Sequence, residues 1–153
     1  MHLTAAVFGD NGLFAKFGKS GTANDILIRN QADSNNVITY VAPNSDKIQP
    51  LLQCIAMADY HVVVVNELNA QIGEVLIALN EAGIKQGLIA TDFLEDKTRA
   101  MIKDMSVSNF DFVRKGEDAV REKIMQVKVE RKQEPTIVTV DNYFGVKGVG
   151  TVV

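Results

Sequence analysis

The sequence predicts an α/β protein built on a mostly parallel sheet with helices on both faces. Three observations carry this. His61-Val62-Val63-Val64-Val65 is apolar at nearly every position rather than at alternate ones, as in a strand covered on both sides. Gly87-Leu88-Ile89-Ala90 is a second short run of the same kind. Apolar residues before, between and after these runs recur three and four apart, so strands alternate with helices joined by right-handed crossovers.

Taken in order, Leu3 to Phe8 is an apolar strand that stops at the turn Gly9-Asp10-Asn11-Gly12. Leu13 to Phe17 has room for one or two helical turns, with Gly18 as its C-cap. Ile26-Leu27-Ile28 and Val37 to Val41 are β-branched runs joined by the polar segment Gln31 to Asn36, which reads as an antiparallel hairpin. Ile48, Leu51, Leu52 and Ile55 mark a helix with Pro50 in its first turn. Ile72, Val75, Leu76, Leu79 and Ala82 mark the next, closed by Gly83. Leu94, Met101, Ile102 and Met105 mark a third, with Asp92 and Glu95 spaced as a capping box. Phe110 to Val113 is a strand, and Gly116 to Val127 is a helix with Glu117 and Arg121 four apart on one face. A charged, proline-closed linker follows at residues 129–135. Thr136 to Val140, and the glycine-separated runs after Phe144, are strands that begin a second unit. A pair of strands is marginal alone, so this unit is expected to be part of a larger β domain.

Composition narrows the function classes. The chain has 153 residues, 46% hydrophobic and 23% charged, the balance of a globular protein. A net charge of -3 speaks against a general DNA coat, which needs many phosphate-neutralising side chains. Cys54 is the one cysteine, and His2 and His61 are the two histidines, too few for a structural zinc site. No signal-peptide pattern and no apolar run of roughly 20 residues occurs, so neither a leader nor a membrane span is expected. The expected setting is the cytoplasm. Cys54 sits in an apolar helix and reads as core, and His61 as a strand-edge residue.

Residues 12 to 20, GLFAKFGKS, approach the phosphate-binding pattern G-x-x-x-x-G-K-[ST]. Five residues rather than four separate Gly12 from Gly18, which breaks the register of the backbone donors. Gly18-Lys19-Ser20 is also followed by a strand, with no room for the helix whose N-terminus favours the anion. The turn Gly9 to Gly12, at the end of the first strand, is the better place for phosphate, since α/β sheets bind ligands there. Candidate nucleotide contacts are therefore Gly9, Asp10, Asn11 and Gly12, with Lys16 or Lys19 as the cation and Asp92 for a base edge. Asp10 by itself is not a metal site. No Ser–His–Asp set, catalytic carboxylate pair or metal-ligand spacing stands out. Lys128, Arg131 and Lys132 read as a solvated linker or as contacts to RNA phosphates.

Residues 140 to 153, VDNYFGVKGVGTVV, carry a resemblance. They resemble the opening of the second domain of elongation factor Tu, and above all of the selenocysteine-specific elongation factor. There V-D-x-x-F is followed by V-K-G-x-G-T-V-V. The order of elements in residues 3 to 128 is similar to a translational GTPase domain, and GTANDI and QIGEVLIALNEAGIKQGLIA look like archaeal SelB-like paralogues.

The resemblance implies a P-loop GTPase-like three-layer sandwich: a mostly parallel six-stranded sheet with one antiparallel strand, over residues 1–128. It implies the start of a β-barrel at 136–153. Gly9 alone matches the family's phosphate loop. Ala23 stands where the magnesium threonine is expected. The D-x-x-G falls at Val41 to Ser45 without its aspartate or glycine, and the N-K-x-D falls at Thr91-Asp92. Phosphoryl transfer rests on positioning and on charge neutralisation by lysine and magnesium, so these departures imply a pseudo-GTPase. No cofactor is then expected, with GTP and Mg only if the site is retained. The partners implied are aminoacyl-tRNA, the ribosome or another translation factor, with no membrane and no DNA. Two alternatives stay open: an active GTP-binding protein with an atypical loop, and a scaffold outside translation.

Overall fold

The computed structural model describes residues 1–128 and 144–152. Seven strands form one sheet: β1 (His2–Phe8), β2 (Lys19–Ala23), β3 (Ile26–Ala32), β4 (Val37–Pro43), β5 (Tyr60–Val64), β6 (Gly87–Ala90) and β7 (Asp111–Val113). Their order is β2-β3-β4-β1-β5-β6-β7. β1 pairs in parallel with both β4 and β5, and β5, β6 and β7 continue in parallel. β3 is antiparallel to β4 and to β2, so it alone runs against the rest.

Two apolar layers cover the sheet. Ala6, Phe8, Val41, Val63 and Ile89 face one way, onto α2 (Ile48–Met57), α3 (Ala70–Glu81) and α4 (Glu95–Ile102). Ala5, Val7, Tyr40, Val62, Val64 and Leu88 face the other, onto α1 (Asn11–Phe14) and α5 (Glu117–Met125). Successive strand residues feed opposite layers, which is why the inner strands read as continuous apolar runs. The three-layer arrangement is the one the sequence predicts.

Several local expectations change. The sheet carries one strand beyond the expected six, because Lys19–Ala23 pairs with β3 through a bulge between Ser20 and Ala23. The helix after β1 ends at Phe14, capped by Ala15. Gly18 is thus not its cap. It has φ +48 at the entry to β2, where a Cβ would lie 2.4 Å from Asn30 O. β3 runs on through Gln31 to Ala32, and the Asp33 carboxylate closes the hairpin by accepting from Asn35 N at 3.0 Å and Asn36 N at 2.8 Å.

Asp92 does not cap α4. The cap position is Leu94, whose N–H is donated to Thr91 Oγ1 at 3.3 Å, while Asp92 Oδ1 accepts from Lys115 N at 3.1 Å. Glu95 instead pairs with Arg99 one turn on. His61 is no edge residue: its strand lies inside the sheet, and it is 2% exposed. Cys54 is core as expected. Pro50 sits in the first turn of α2, Gly83 (φ +70) follows α3, and Arg121 pairs with Glu117.

The strands expected near the chain's end appear as β8 (Phe144–Val146) and β9 (Gly150–Val152), antiparallel across a turn holding Gly148 at φ +86. The linker 129–135, with Arg131 and Lys132, the strand at Thr136 to Val140, and Asp141 lie outside the described residues.

Candidate functional site

The carboxyl ends of β1, β4, β5, β6 and β7 meet along one edge of the sheet, the place where open α/β sheets receive ligands. The chain leaves β1 through Gly9, which has φ +92. A Cβ here would sit 2.2 Å from Val64 O and 2.9 Å from the Ile72 side chain. Only glycine lets the backbone turn this tightly over β5.

That turn delivers Asp10. Its Oδ1 accepts the Leu13 N–H at 2.8 Å, and so caps α1. Its Oδ2 accepts from Asn66 Nδ2 at 2.9 Å, just past β5, and lies 2.9 Å from Lys115 Nζ, just past β7. Partial burial by itself raises the Asp10 carboxyl. The hydrogen bonds from Asn66, Lys115 and Leu13, with the Lys115 charge, outweigh it and bring the group down to about 2. Asp10 is therefore a fixed negative charge at neutral pH.

Two clefts flank this charge. One, of about 190 Å³, is lined by Gly9, Asp10, Asn11, Ser45, Asp46 and Gln71 among others. The second, of about 330 Å³, is lined by Asn66, Thr91, Asp92, Phe93 and Lys115 with two aliphatic neighbours. Thr91 Oγ1 donates to Val65 O at 2.9 Å, which ties the ends of β5 and β6 together. The Phe93 ring is almost wholly exposed at the rim.

Of the residues chosen from sequence, Gly9 and Asp10 form the turn, Asn11 and Gly12 already belong to α1 rather than to the expected four-residue turn, and Asp92 lines the neighbouring cleft. Lys16 and Lys19 are not brought to Asp10. Lys16 is exposed beyond α1, and Lys19 opens the edge strand, with two strands between its own and β1. The cation at the turn is Lys115, and its companion is Asn66. Sequence reasoning selected neither, although each stands two positions past the end of a parallel strand.

No protein-family model matches the chain. An uncharacterized protein of Methanocaldococcus jannaschii is 32% identical over 157 residues, which takes in 99% of this chain and 51% of that protein. The chain thus spans about half the length of the curated relative it matches. Among solved structures, the bacterial selenocysteine-specific elongation factor EF-Sec aligns at a TM-score of 0.70 and 18% identity, covering 97% of this chain and 33% of that one. Translation elongation factor SelB from Methanococcus maripaludis, in complex with the GTP analogue GppNHp, aligns at 0.63 and 15%, covering 97% and 40%. The fold is P-loop GTPase-like, a three-layer α/β sandwich.

The residues around Asp10 fit a phosphate group poorly. Among the described residues, no group of three or more His, Cys, Asp or Glu side chains is placed to hold a metal ion. The turn after β1 presents a carboxylate where a phosphate needs donors. Taken by itself, Asp10 would repel a phosphate charge about 4 Å away by about 4 kcal/mol at an effective dielectric of about 20, a repulsion that Lys115 offsets in part. Asp46 and Asp92 line the two clefts as well, and Lys115 is already engaged by Asp10. No described helix is long and apolar enough to cross a membrane.

Proposed function

We propose that this chain belongs to a translation elongation factor Tu-like protein of the SelB type, in which the GTPase-type domain has become nucleotide-silent. The domain then serves as a rigid docking body for aminoacyl-tRNA, and through it for the ribosome, in the cytoplasm. It is not a competent GTPase. One observation carries the silent half of this reading: the Asp10 carboxylate lies on the Leu13 N–H, Asn66 and Lys115, the donors a phosphate would need. The factor half is supported by the likeness of fold to EF-Sec and SelB. The V-K-G-x-G-T-V-V stretch supports it too, since its described part is a β-hairpin suited to open a β-barrel. Without a γ-phosphate and its metal to order switch loops, such a domain has no nucleotide-driven switch.

The test has two arms, both on the full-length protein. Titration of a fluorescent GTP or GDP analogue with magnesium is expected to give no saturation, and saturation at micromolar levels would reverse the silent half. Aminoacyl-tRNA binding is expected to weaken by orders of magnitude between about 50 and 200 mM salt, as phosphate contacts require. Absence of tRNA binding at low salt would remove the factor half.

A further inference from the structure

Three donors from three separate strand ends meet on one carboxylate. Leu13 N–H follows β1, Asn66 Nδ2 follows β5 and Lys115 Nζ follows β7. An ammonium and a side-chain amide on one carboxylate oxygen, with a backbone N–H on the other, are the donor set of an anion site. They stand in the crevice where a sheet of this kind takes its ligand. α1 is only four residues long and contributes one N–H, so Lys115 and Asn66 define the position.

The position is filled from within. Gly9, at φ +92, carries the backbone close over Val64 O, and the Asp10 side chain that follows it, 15% exposed, lies on the donors. Lys115 is steadied in turn, because its backbone N–H is donated to Asp92 Oδ1. An unattached anion would have to displace a carboxylate that is covalently present and already paired.

We infer that Asp10 is a built-in latch: its carboxylate takes the anion position between Lys115 and Asn66, and so shuts the crevice to free phosphate and pyrophosphate groups. This deepens the nucleotide-silent reading and rests on it.

Removing the latch should expose a working anion site. Inorganic pyrophosphate, titrated at constant ionic strength and read by calorimetry, is expected to bind Asp10→Ala roughly tenfold or more tightly than the wild type. The double variant Asp10→Ala, Lys115→Met is expected to lose that gain. A folded Asp10→Ala protein with wild-type affinity overturns the latch, as does a gain that survives in the double variant. If circular dichroism shows Asp10→Ala unfolded, Asp10→Ser, which keeps an N-cap oxygen but is too short to fill the position between Lys115 and Asn66, replaces it under the same two outcomes. Wild-type protein blind to GTP while the latch variant stays blind to pyrophosphate sinks the latch alone. Wild-type protein that grips GTP sinks the silent reading itself.

Discussion

Lys115 Nζ lies 2.9 Å from Asp10 Oδ2, so a residue beyond β7 closes on the turn beyond β1 across β5 and β6. The contact gives stability a definite pH dependence. The folded Asp10 carboxyl sits at about 2 against an ordinary 3.8. A group lowered in the folded state stabilises fully above its unfolded value and loses this as pH falls through the folded one. The Asp10 contribution is therefore intact above about pH 4 and lost by about pH 2. At full weight it amounts to about 2 kcal/mol. Solvent reaches a third of the Lys115 side chain and lowers the expectation to about 1 kcal/mol. Urea unfolding of wild type and Asp10→Asn over this range measures it, and equal acid slopes in the two proteins would refute it.

Gly9 and Gly73 should respond oppositely to the same added methyl group. At Gly9 an alanine meets a backbone oxygen at 2.2 Å and a positive φ, so Gly9→Ala is expected to destabilise by about 2–4 kcal/mol. At Gly73, inside α3, a Cβ meets nothing within 4 Å. Gly73→Ala is expected to stabilise by about 0.5–1 kcal/mol, through helix propensity and a less flexible unfolded chain. Denaturation midpoints of the two variants decide the matter.

These cases show which features were legible in the sequence. The inner strands could be read because burial on both faces leaves an uninterrupted apolar run. β2 could not, since Lys-Ser-Gly-Thr-Ala has no such run and is held by pairing with β3. The spacing of Asp92 and Glu95 imitates a capping box, but the chain turns once more at Leu94 before α4 begins, and Asp92 is drawn to Lys115 N instead. Half of the site was legible: a strand ending in Gly-Asp-Asn-Gly marks a ligand turn. The partners of Asp10 are ordinary polar residues far along the chain, and Asn66 is 56 positions away. Only the parallel order of the sheet brings them together.

Cys54 tests the depth of the layer under α2. The thiol is fully buried, and burial pushes it up to about 12. Only a thiolate attacks disulfide reagents, so the native protein is expected to react with Ellman's reagent only through global opening. Denatured protein should react at once. Stoichiometric native reaction within minutes would show that the α2 layer opens locally.

His61 adds a second acid-sensitive group, whose loss of stability begins at a higher pH than that of Asp10. It is 2% exposed on β5, with Nε2 3.0 Å from Ile55 O and Nδ1 without a hydrogen-bond partner among the described residues. Loss of solvent lowers its pKa. The Ile55 carbonyl and the Asp59 charge pull the other way by less. In the unfolded chain His61 takes a proton near about pH 6.5, while in the folded chain it stays neutral to lower pH. Stability is thus full above about pH 6.5 and declines below it, at a slope of up to about 1.4 kcal/mol per pH unit. His61→Leu is expected to flatten the decline that begins below about pH 6.5 and to leave the Asp10 step below about pH 4 in place. A folded-state NMR titration of His61 centred at or above its ordinary value would refute this account, because the group would then be gaining rather than losing protons on folding.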